Sequence, residues 1–583
     1  MCGLFGYVCL DNVRPETRKA ALDTLAHRGP DQQGEWVSRN VYIGHRRLSI
    51  LDLSERARQP FVSDDHAVVV SVNGEVYNFQ ELRRQLSAKH HFCTTSDSEV
   101  VLHGYREWGI RGLLSRLEGM YAFCIHDTRQ NRLFLARDRI GIKPLYYSVR
   151  GRCISWASEL KALEMFLGPG GLELDGTGMY DFLTYLYVPS PKTMYKDVFK
   201  LEPAHYIDVD VARGSLQKHR YWQLVVHGST DSIDVAAERI RGMIGSAVGA
   251  QLCSDVPVGF FLSGGIDSSV VVSEAAKAGH TVHTYSIGFD DEEHDETAFA
   301  ELVAERFGTQ HRTRTLRRAE IAPMFVKLKE WFDEPFADTS AFPTHLVSQF
   351  ARETCKVVLT GDGGDEVFGG YGWYTAFRTH VDDSQVVPRS WLAFLSSIRG
   401  RSRRSLVGRL ANRIELGLLS ELELHTRLLG GLLKEQKRRQ AVDLGIASDY
   451  DDYWYFRKFY RPELPVITRL QYLDFHTYLP DDILTKVDRT SMAVSLEARV
   501  PLLATEIVEY AFSLPEQVRL HGERNKGLLK YAYRERLPPE IIDRKKQGFS
   551  IPGRTYTREI AAPGRSKQEV ILTELYATAS SAP

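Results

Sequence analysis

The chain is poor in cysteine, carries almost no net charge and has no long apolar run. Seven of its 583 residues are cysteine, at positions 2, 9, 93, 124, 153, 253 and 355. The number is odd and the spacings suit no metal, which argues against a disulfide-built secreted scaffold and fits a reducing compartment. The 74 Lys and Arg and the 75 Asp and Glu leave a formal charge of −1, so nothing points to a nucleic-acid or membrane surface. No stretch of about 18 apolar residues exists to cross a bilayer. The N-terminus lacks the basic and apolar regions of a signal peptide. No internal repeat and no low-complexity tract is found. What remains is an ordinary globular composition, 43% hydrophobic and 26% charged, long enough for more than one domain. A cytoplasmic enzyme is the expectation.

Two patterns divide the chain. Up to about residue 210 short β-rich runs alternate with turns: Val68–Val72, Tyr121–Ile125 and Arg132–Ala136, with Asn73-Gly74 read as a bounding turn. Helical stretches at Phe79–Leu86 and Ser98–Trp108 suggest sheets with helices packed outside, a layered α+β domain. Residues 211–235 are polar and turn-rich and read as a linker. From 236 strand and helix alternate: a helix to Gln251, an apolar strand over 257–262, a helix after Ser263, a strand over 281–289, a helix over 296–307 and a strand over 356–360. That order implies a parallel, doubly wound sheet, followed by a mostly helical region to about 553. Residues 554–583 read as a polar tail.

Cys2 is the most informative residue. Once an initiator methionine is removed, it carries a thiol and a free α-amine, with ordinary pKa values of about 8.5 and about 8. The amine can take the thiol proton, as in N-terminal threonine hydrolases. In the second half, Ser263-Gly264-Gly265-Ile266-Asp267-Ser268-Ser269 stands between an apolar strand and a helix. Glycines there let backbone N–H groups approach an anion, and the helix dipole favours negative charge. A carboxylate such as Asp267 beside a phosphate makes sense through Mg²⁺. There is no Gly-Lys-Ser/Thr, so this is not a Walker A loop. A second acidic, glycine-rich strand end follows at Thr360-Gly361-Asp362-Gly363-Gly364-Asp365-Glu366. The first loop resembles the pyrophosphate loop of N-type ATP pyrophosphatases.

Together with Cys2-Gly3-Leu4-Phe5-Gly6, the chain resembles the glutamine-hydrolysing asparagine synthetases, from Cys2 to about Pro552. His27-Arg28-Gly29-Pro30-Asp31, Asn73-Gly74-Glu75-Val76-Tyr77-Asn78, Ser96-Asp97-Ser98-Glu99, Tyr478-Leu479-Pro480-Asp481-Asp482, Lys486-Val487-Asp488-Arg489, Leu496-Glu497-Ala498-Arg499-Val500-Pro501 and Lys545-Lys546-Gln547-Gly548-Phe549 carry the likeness. The resemblance implies an N-terminal αββα glutaminase of the N-terminal-nucleophile hydrolase type (1–210). It also implies an ATP-pyrophosphatase domain, adenine nucleotide α-hydrolase-like with extra helices (236–553). By the same resemblance Cys2 is the nucleophile, and Asn73 and the Gly74 N–H form the oxyanion hole. Arg47, Leu48, Ser49, Ile50, Leu51, Glu75 and Asp97 bind glutamine, Arg47 at its α-carboxylate and Asp97 at its α-amine. Leu262, Ile287, Thr360 and Gly361 contact ATP, and Ser263, Gly264, Gly265, Asp267 and Ser268 hold pyrophosphate. Asp267 and Asp365 ligate Mg²⁺, Lys546 steadies the phosphates, and Asp362 handles ammonia or the acyl-adenylate. The substrates implied are glutamine, ATP and a carboxylate, with aspartate preferred, and the implied assembly is a homodimer.

Two departures bear on the acceptor. The family usually has aspartate after Arg499-Val500-Pro501-Leu502-Leu503, where this chain has Ala504, and its usual ending contains tryptophan, which Gly553 to Pro583 lacks. The alternatives are the same chemistry on another carboxylate in a specialised pathway or, more remotely, a non-catalytic regulator retaining the fold. His90-His91, Trp331, Trp391, Trp454 and the basic run Arg399–Arg404 read as surface or packing features, and the cysteines other than Cys2 as packing thiols.

Overall fold

The computed structural model describes residues 2–11, 13–168, 170–226, 228–291, 295–386, 416–523, 525–544, 548, 551 and 566–576. Lys546, Trp391 and the run 399–404 lie outside them.

Two six-stranded antiparallel sheets build the first part. One runs Val198–Lys200, Tyr146–Arg150, Cys153–Ala157, Cys2–Cys9, Val41–Arg47, Gln32–Val37 across its width. The other runs Ser215–Arg220, His205–Asp210, Arg132–Arg137, Gly119–Asp127, Val68–Val76, Phe61–Val62. Val8 and Ile43 of the first sheet meet Val69, Cys124 and Leu135 of the second in a shared core. The outer faces bury against helices: Phe5 and Tyr42 with the helices Pro15–Asp23 and Leu160–Leu167, and Val70 and Phe123 with Phe79–Leu86 and Glu99–Arg116. The result is the expected αββα stack, because alternate residues of each strand point to opposite faces. The strand Ser215–Arg220 continues the second sheet into the segment read as linker.

Asn73-Gly74 is not a turn. Both residues lie inside the strand Val68–Val76, opposite Ala122 and Tyr121. A Cβ on Gly74 would stand 2.0 Å from the Met120 carbonyl oxygen, so the glycine answers a close strand approach and not a reversal. Cys9 and Cys153, read as packing thiols, face each other across paired strands and are joined as a disulfide.

The third sheet is parallel, in the spatial order Gln310–Leu316, His283–Phe289, Val258–Phe261, Val357–Leu359, Glu497–Arg499. Phe260 and Leu359 face one helical layer, while Tyr285, Ile287 and Val358 face the other. The strand order reverses between Val258–Phe261 and Val357–Leu359, and ligands of such sheets bind beyond the carboxyl ends at that switch point. Residues 566–576, within the expected tail, are packed: Val570, Ile571 and Tyr576 are buried, and Gln568 donates from Nε2 to the Gly430 carbonyl at 2.8 Å. No helix among the described residues is long and apolar enough to cross a membrane.

Candidate functional site

Cys2 begins the central strand of the first sheet and pairs with Arg47. Its backbone N–H donates to Asn73 Oδ1 at 2.8 Å, reaching across to the second sheet. That bond uses the oxygen of the Asn73 amide and leaves Nδ2, fully buried, with no hydrogen-bond partner. A buried donor without a partner costs about 1–3 kcal/mol unless something accepts from it. Burial raises the Cys2 thiol pKa, while the Leu48 backbone and the Arg47 charge oppose the rise.

The loop after Arg47 is held from both sides. Arg47 donates from Nη1 to Gln32 Oε1 at 2.7 Å and from Nη2 to the carbonyls of Leu51 and Asp52 at 2.8 and 2.7 Å. The Ser49 N–H donates to Asp31 at 2.8 Å. Leu48 and Ile50 pack on Val357 of the parallel sheet, so this loop touches both parts of the chain. Asp97 accepts from the Val76 N–H at 2.8 Å, beside the strand that carries Asn73, Gly74 and Glu75. Burial raises the carboxyl pKa values of Asp97 and Glu75.

Several residues to which no role was given complete this region. Arg28, fully buried, donates from Nε to the Cys2 carbonyl at 3.0 Å, from Nη1 to Glu159 at 2.8 Å, and through both Nη atoms to Asp488 at 2.8 and 3.1 Å. Glu159 also lies 3.4 Å from Arg489, and Asp488 lies 3.8 Å from Lys143. Arg499 bridges in the same way, with Nη2 3.3 Å from Glu75 and Nε donating to Glu497 at 2.7 Å. The cysteine strand is thus fixed to the second domain by buried ion pairs. Arg28, Asp488, Arg489, Glu497 and Arg499 all stood in quoted motifs, but a motif does not say which distant motif it meets.

A cavity of about 1070 Å³ opens at the switch point of the parallel sheet. Leu262, Ser263, Gly265, Asp267, Ser268, Ile287, Thr360, Gly361, Asp362 and Asp365 line it. Ser268 Oγ accepts from the Ser263 N–H at 3.2 Å and Ser263 Oγ from the Gly265 N–H at 3.3 Å, which rounds the loop. Gly264 does not face the cavity. It has φ +67°, and a Cβ there would sit 2.6 Å from the Ala300 nitrogen, so it serves close packing on the helix Thr297–Phe307. A Cβ on Gly361 would stand 2.7 Å from the Ser268 nitrogen, so the two acidic loops touch. Asp362 accepts from Thr360 Oγ1 at 2.7 Å.

Asp267 and Asp365 converge on one cation. Lys526 pairs with Asp267 and lies 2.6 Å from Asp365, and a second Asp267 oxygen, Oδ1, is buried without a hydrogen bond. Two hard carboxylate oxygens gathered beside a phosphate-type loop suit Mg²⁺. No cluster of three or more metal-ligating side chains exists among the described residues. Such a site therefore relies on phosphate oxygens and water, as Mg²⁺ sites commonly do.

A thiol beside an unpartnered amide donor in an αββα domain, joined to a parallel-sheet domain with a pyrophosphate-type cavity, defines a glutamine-dependent amidotransferase of the ATP-dependent amide-ligase class. Comparison with known sequences narrows this: residues 239–574 match the asparagine synthase family and residues 1–222 match the glutamine amidotransferase domain. The chain belongs to the asparagine synthase family. It is 32% identical to asparagine synthetase (glutamine-hydrolyzing) 1 of Bacillus subtilis (strain 168) over 574 residues, 96% of this chain and 88% of that one. It is 31% identical over 596 residues to a putative asparagine synthetase (glutamine-hydrolyzing) of Mycobacterium tuberculosis (strain H37Rv), again 96% and 88% of the two chains. It is 27% identical over 592 residues to the amidase chry2 of Gibberella zeae, 92% of this chain and 85% of that one.

Proposed function

We propose that the chain moves the side-chain amide nitrogen of glutamine onto the β-carboxylate of aspartate, cleaving ATP to AMP and pyrophosphate. The glutaminase at 1–210 joins through 211–235 to the synthetase at 236–553. The observation that carries the reading is the Cys2–Asn73 contact, which holds the cysteine backbone and leaves a buried amide N–H₂ for an oxyanion.

In the first half-reaction Cys2 Sγ attacks the glutamine amide carbon and the carbonyl electron pair moves onto oxygen. Asn73 Nδ2 and the Gly74 N–H receive that charge. The free α-amine of Cys2 takes the thiol proton and returns it to the leaving nitrogen, so ammonia departs and water then releases glutamate. Arg47 holds the substrate α-carboxylate and Asp97 its α-amine, with Leu48–Leu51 and Glu75 closing the pocket. Burial opposes the thiolate, so the proton transfer occurs together with attack and no standing thiolate is required.

In the second half-reaction an acceptor carboxylate oxygen attacks the α-phosphorus of ATP and the bond to pyrophosphate breaks. Ser263, Gly265 and Ser268 receive pyrophosphate, Leu262, Ile287, Thr360 and Gly361 the nucleotide, and Lys546 the phosphates. Asp267 and Asp365 would hold Mg²⁺, which supplies charge neutralisation to the phosphates when bound. Asp362 takes a proton from ammonia as it attacks the acyl carbon and AMP leaves. Replacing Cys2 with Ala tests the division of labour. Glutamine-driven pyrophosphate release should vanish while ammonia-driven release persists, and loss of both would overturn it.

A further inference from the structure

The strand that begins at Cys2 ends at Cys9, opposite Cys153. One step further along, the Leu10 N–H donates to the Arg152 carbonyl at 3.4 Å. Cys9 and Cys153 therefore occupy the adjoining position without ladder hydrogen bonds, where antiparallel strands bring Cα atoms to about 4.5 Å. Their Cα separation is 4.2 Å. The strand pairing itself presents the two sulfurs to each other. The bond between them can open and close while the register from Phe5–Ala157 to Val8–Ile154 stays in place.

The same pair of strands is fastened again at its other end. The Leu4 N–H donates to Ser158 Oγ at 2.9 Å, and the Ser158 N–H donates to the Leu4 carbonyl at 2.9 Å. Glu159 follows and accepts from Arg28, which also donates to the Cys2 carbonyl. One ladder thus carries the nucleophile at one end and the cysteine pair at the other.

The pair is within reach of exchange. Cys9 is buried, but Cys153 is partly exposed beside the turn at Gly151 and Arg152. A working glutaminase needs Cys2 as a thiol, so the chain acts among thiols, and a disulfide that a thiol can reach exchanges there. The other five cysteines are free. Burial raises the thiol pKa values of Cys2, Cys124 and Cys355, which makes them poor attacking groups.

We infer that Cys9 and Cys153 are a reversible thiol–disulfide site, opened by a small thiol such as glutathione, and that closing it stabilises the domain that carries the nucleophile. The thiolate attacks Cys153 Sγ, the bond to Cys9 breaks, and the Cys9 sulfur takes a proton. A second thiolate attacks the small-molecule sulfur of the mixed disulfide and releases Cys153 as a thiol. Two small thiols are oxidised to one disulfide while the protein disulfide is reduced to two thiols, and the oxidised couple drives the reverse. The bond joins positions 144 residues apart, so it constrains the unfolded chain strongly and leaves the folded register unchanged. Its effect falls on the stability of the domain and not on the chemistry at Cys2.

The test equilibrates the full chain in mixtures of reduced and oxidised glutathione from about 1000:1 to about 1:10. Free thiols are alkylated after denaturation and counted by mass, and thermal unfolding and glutamate formation from glutamine are read on the same samples. The count should pass reversibly between seven and five, with Cys9 and Cys153 the two that change in peptide maps. Closing the bond should raise the unfolding midpoint by about 5–15 °C and leave glutamate formation below both midpoints unchanged. Cys153→Ser should unfold at the midpoint of the reduced chain in every mixture; if that variant does not fold, the two forms of the unmodified chain decide. Seven thiols throughout, glutathione adducts in place of the bond, a bond that survives the most reducing mixture, or equal midpoints for the two forms would overturn the inference. Failure of both forms to make glutamate would count against the glutaminase reading alone, because the thiol count and the midpoints do not depend on it.

Discussion

Arg28 ties the nucleophile strand to the synthetase domain, and its removal has a cost that the surrounding contacts fix. Arg28→Met deletes the donor to the Cys2 carbonyl, one of four charged partners of Glu159, and the two-point contact with Asp488. Among the described residues Asp488 would keep only Lys143, at 3.8 Å. Stranding a buried charge costs about 3–5 kcal/mol. Asp488→Asn is milder: Arg28 keeps Glu159 at 2.8 Å and the carbonyl at 3.0 Å, so the loss is that of a charged hydrogen bond, about 1.5–3 kcal/mol. In the double variant no carboxylate is stranded, so its cost falls short of the sum by about 1–3 kcal/mol. Urea unfolding of the four proteins, followed by tryptophan fluorescence and compared through midpoints and slopes, measures this coupling. Additivity within about 0.5 kcal/mol would refute the reasoning. In parallel, Arg28→Met should depress glutamine-driven pyrophosphate release more than ammonia-driven release, because only the former needs the Cys2 strand in place.

Three further outcomes follow from individual contacts. Asn73→Ala should lower glutaminase kcat by about 10²–10³, the usual effect of losing one oxyanion donor, while ammonia-driven release is retained; a parallel loss of both activities would contradict the assignment. Ala504 stands at the N-cap of the helix Thr505–Ser513 with no side-chain cap, so Ala504→Asp should stabilise the chain by about 0.5–2 kcal/mol with acceptor preference unchanged, and a shifted preference would place residue 504 in the site after all. Burial pushes the Glu366 carboxyl up to about 7, against the bond from the Tyr371 hydroxyl at 2.6 Å. A raised carboxyl binds its proton more tightly in the folded chain, so its contribution is present below the unfolded value near 4.5 and lost as pH rises through 7. Relative to Glu366→Gln, the unmodified chain should therefore lose up to about 3 kcal/mol between pH 4.5 and 7; parallel pH profiles of the two would contradict this.

The sequence carries the layered domain and the parallel sheet because both rest on periodicity, and long apolar runs such as Val68–Val72 and 257–262 read directly. It is least informative where tertiary contacts replace local signals. Asn73-Gly74 has the chemistry of a hairpin turn, yet the glycine stands mid-strand because only a missing Cβ clears the Met120 carbonyl. Glu497–Arg499 is a three-residue strand made of charged residues and alanine, buried by its partners and not by its own pattern. The helix expected to end at Trp108 continues to Arg116 beyond a kink at Gly109, whose φ of +64° marks the break. Of the candidate site, the loop residues were visible because glycine and acidic residues at strand ends have few other uses. Lys526, paired with both Asp267 and Asp365, belongs to no motif. Its position is set by contacts remote in sequence, its N–H donating to the Gly369 carbonyl at 3.3 Å.

Nitrogen transfer from glutamine to aspartate at the expense of ATP is open to a single isotope experiment. The direct measurement incubates the full chain with ATP, Mg²⁺, L-aspartate and glutamine labelled with ¹⁵N in its side-chain amide, and reads pyrophosphate and product masses together. The expected outcome is aspartate-dependent pyrophosphate release and asparagine carrying the label in its side-chain amide. Glutamate formation with neither labelled asparagine nor aspartate-dependent pyrophosphate would contradict it.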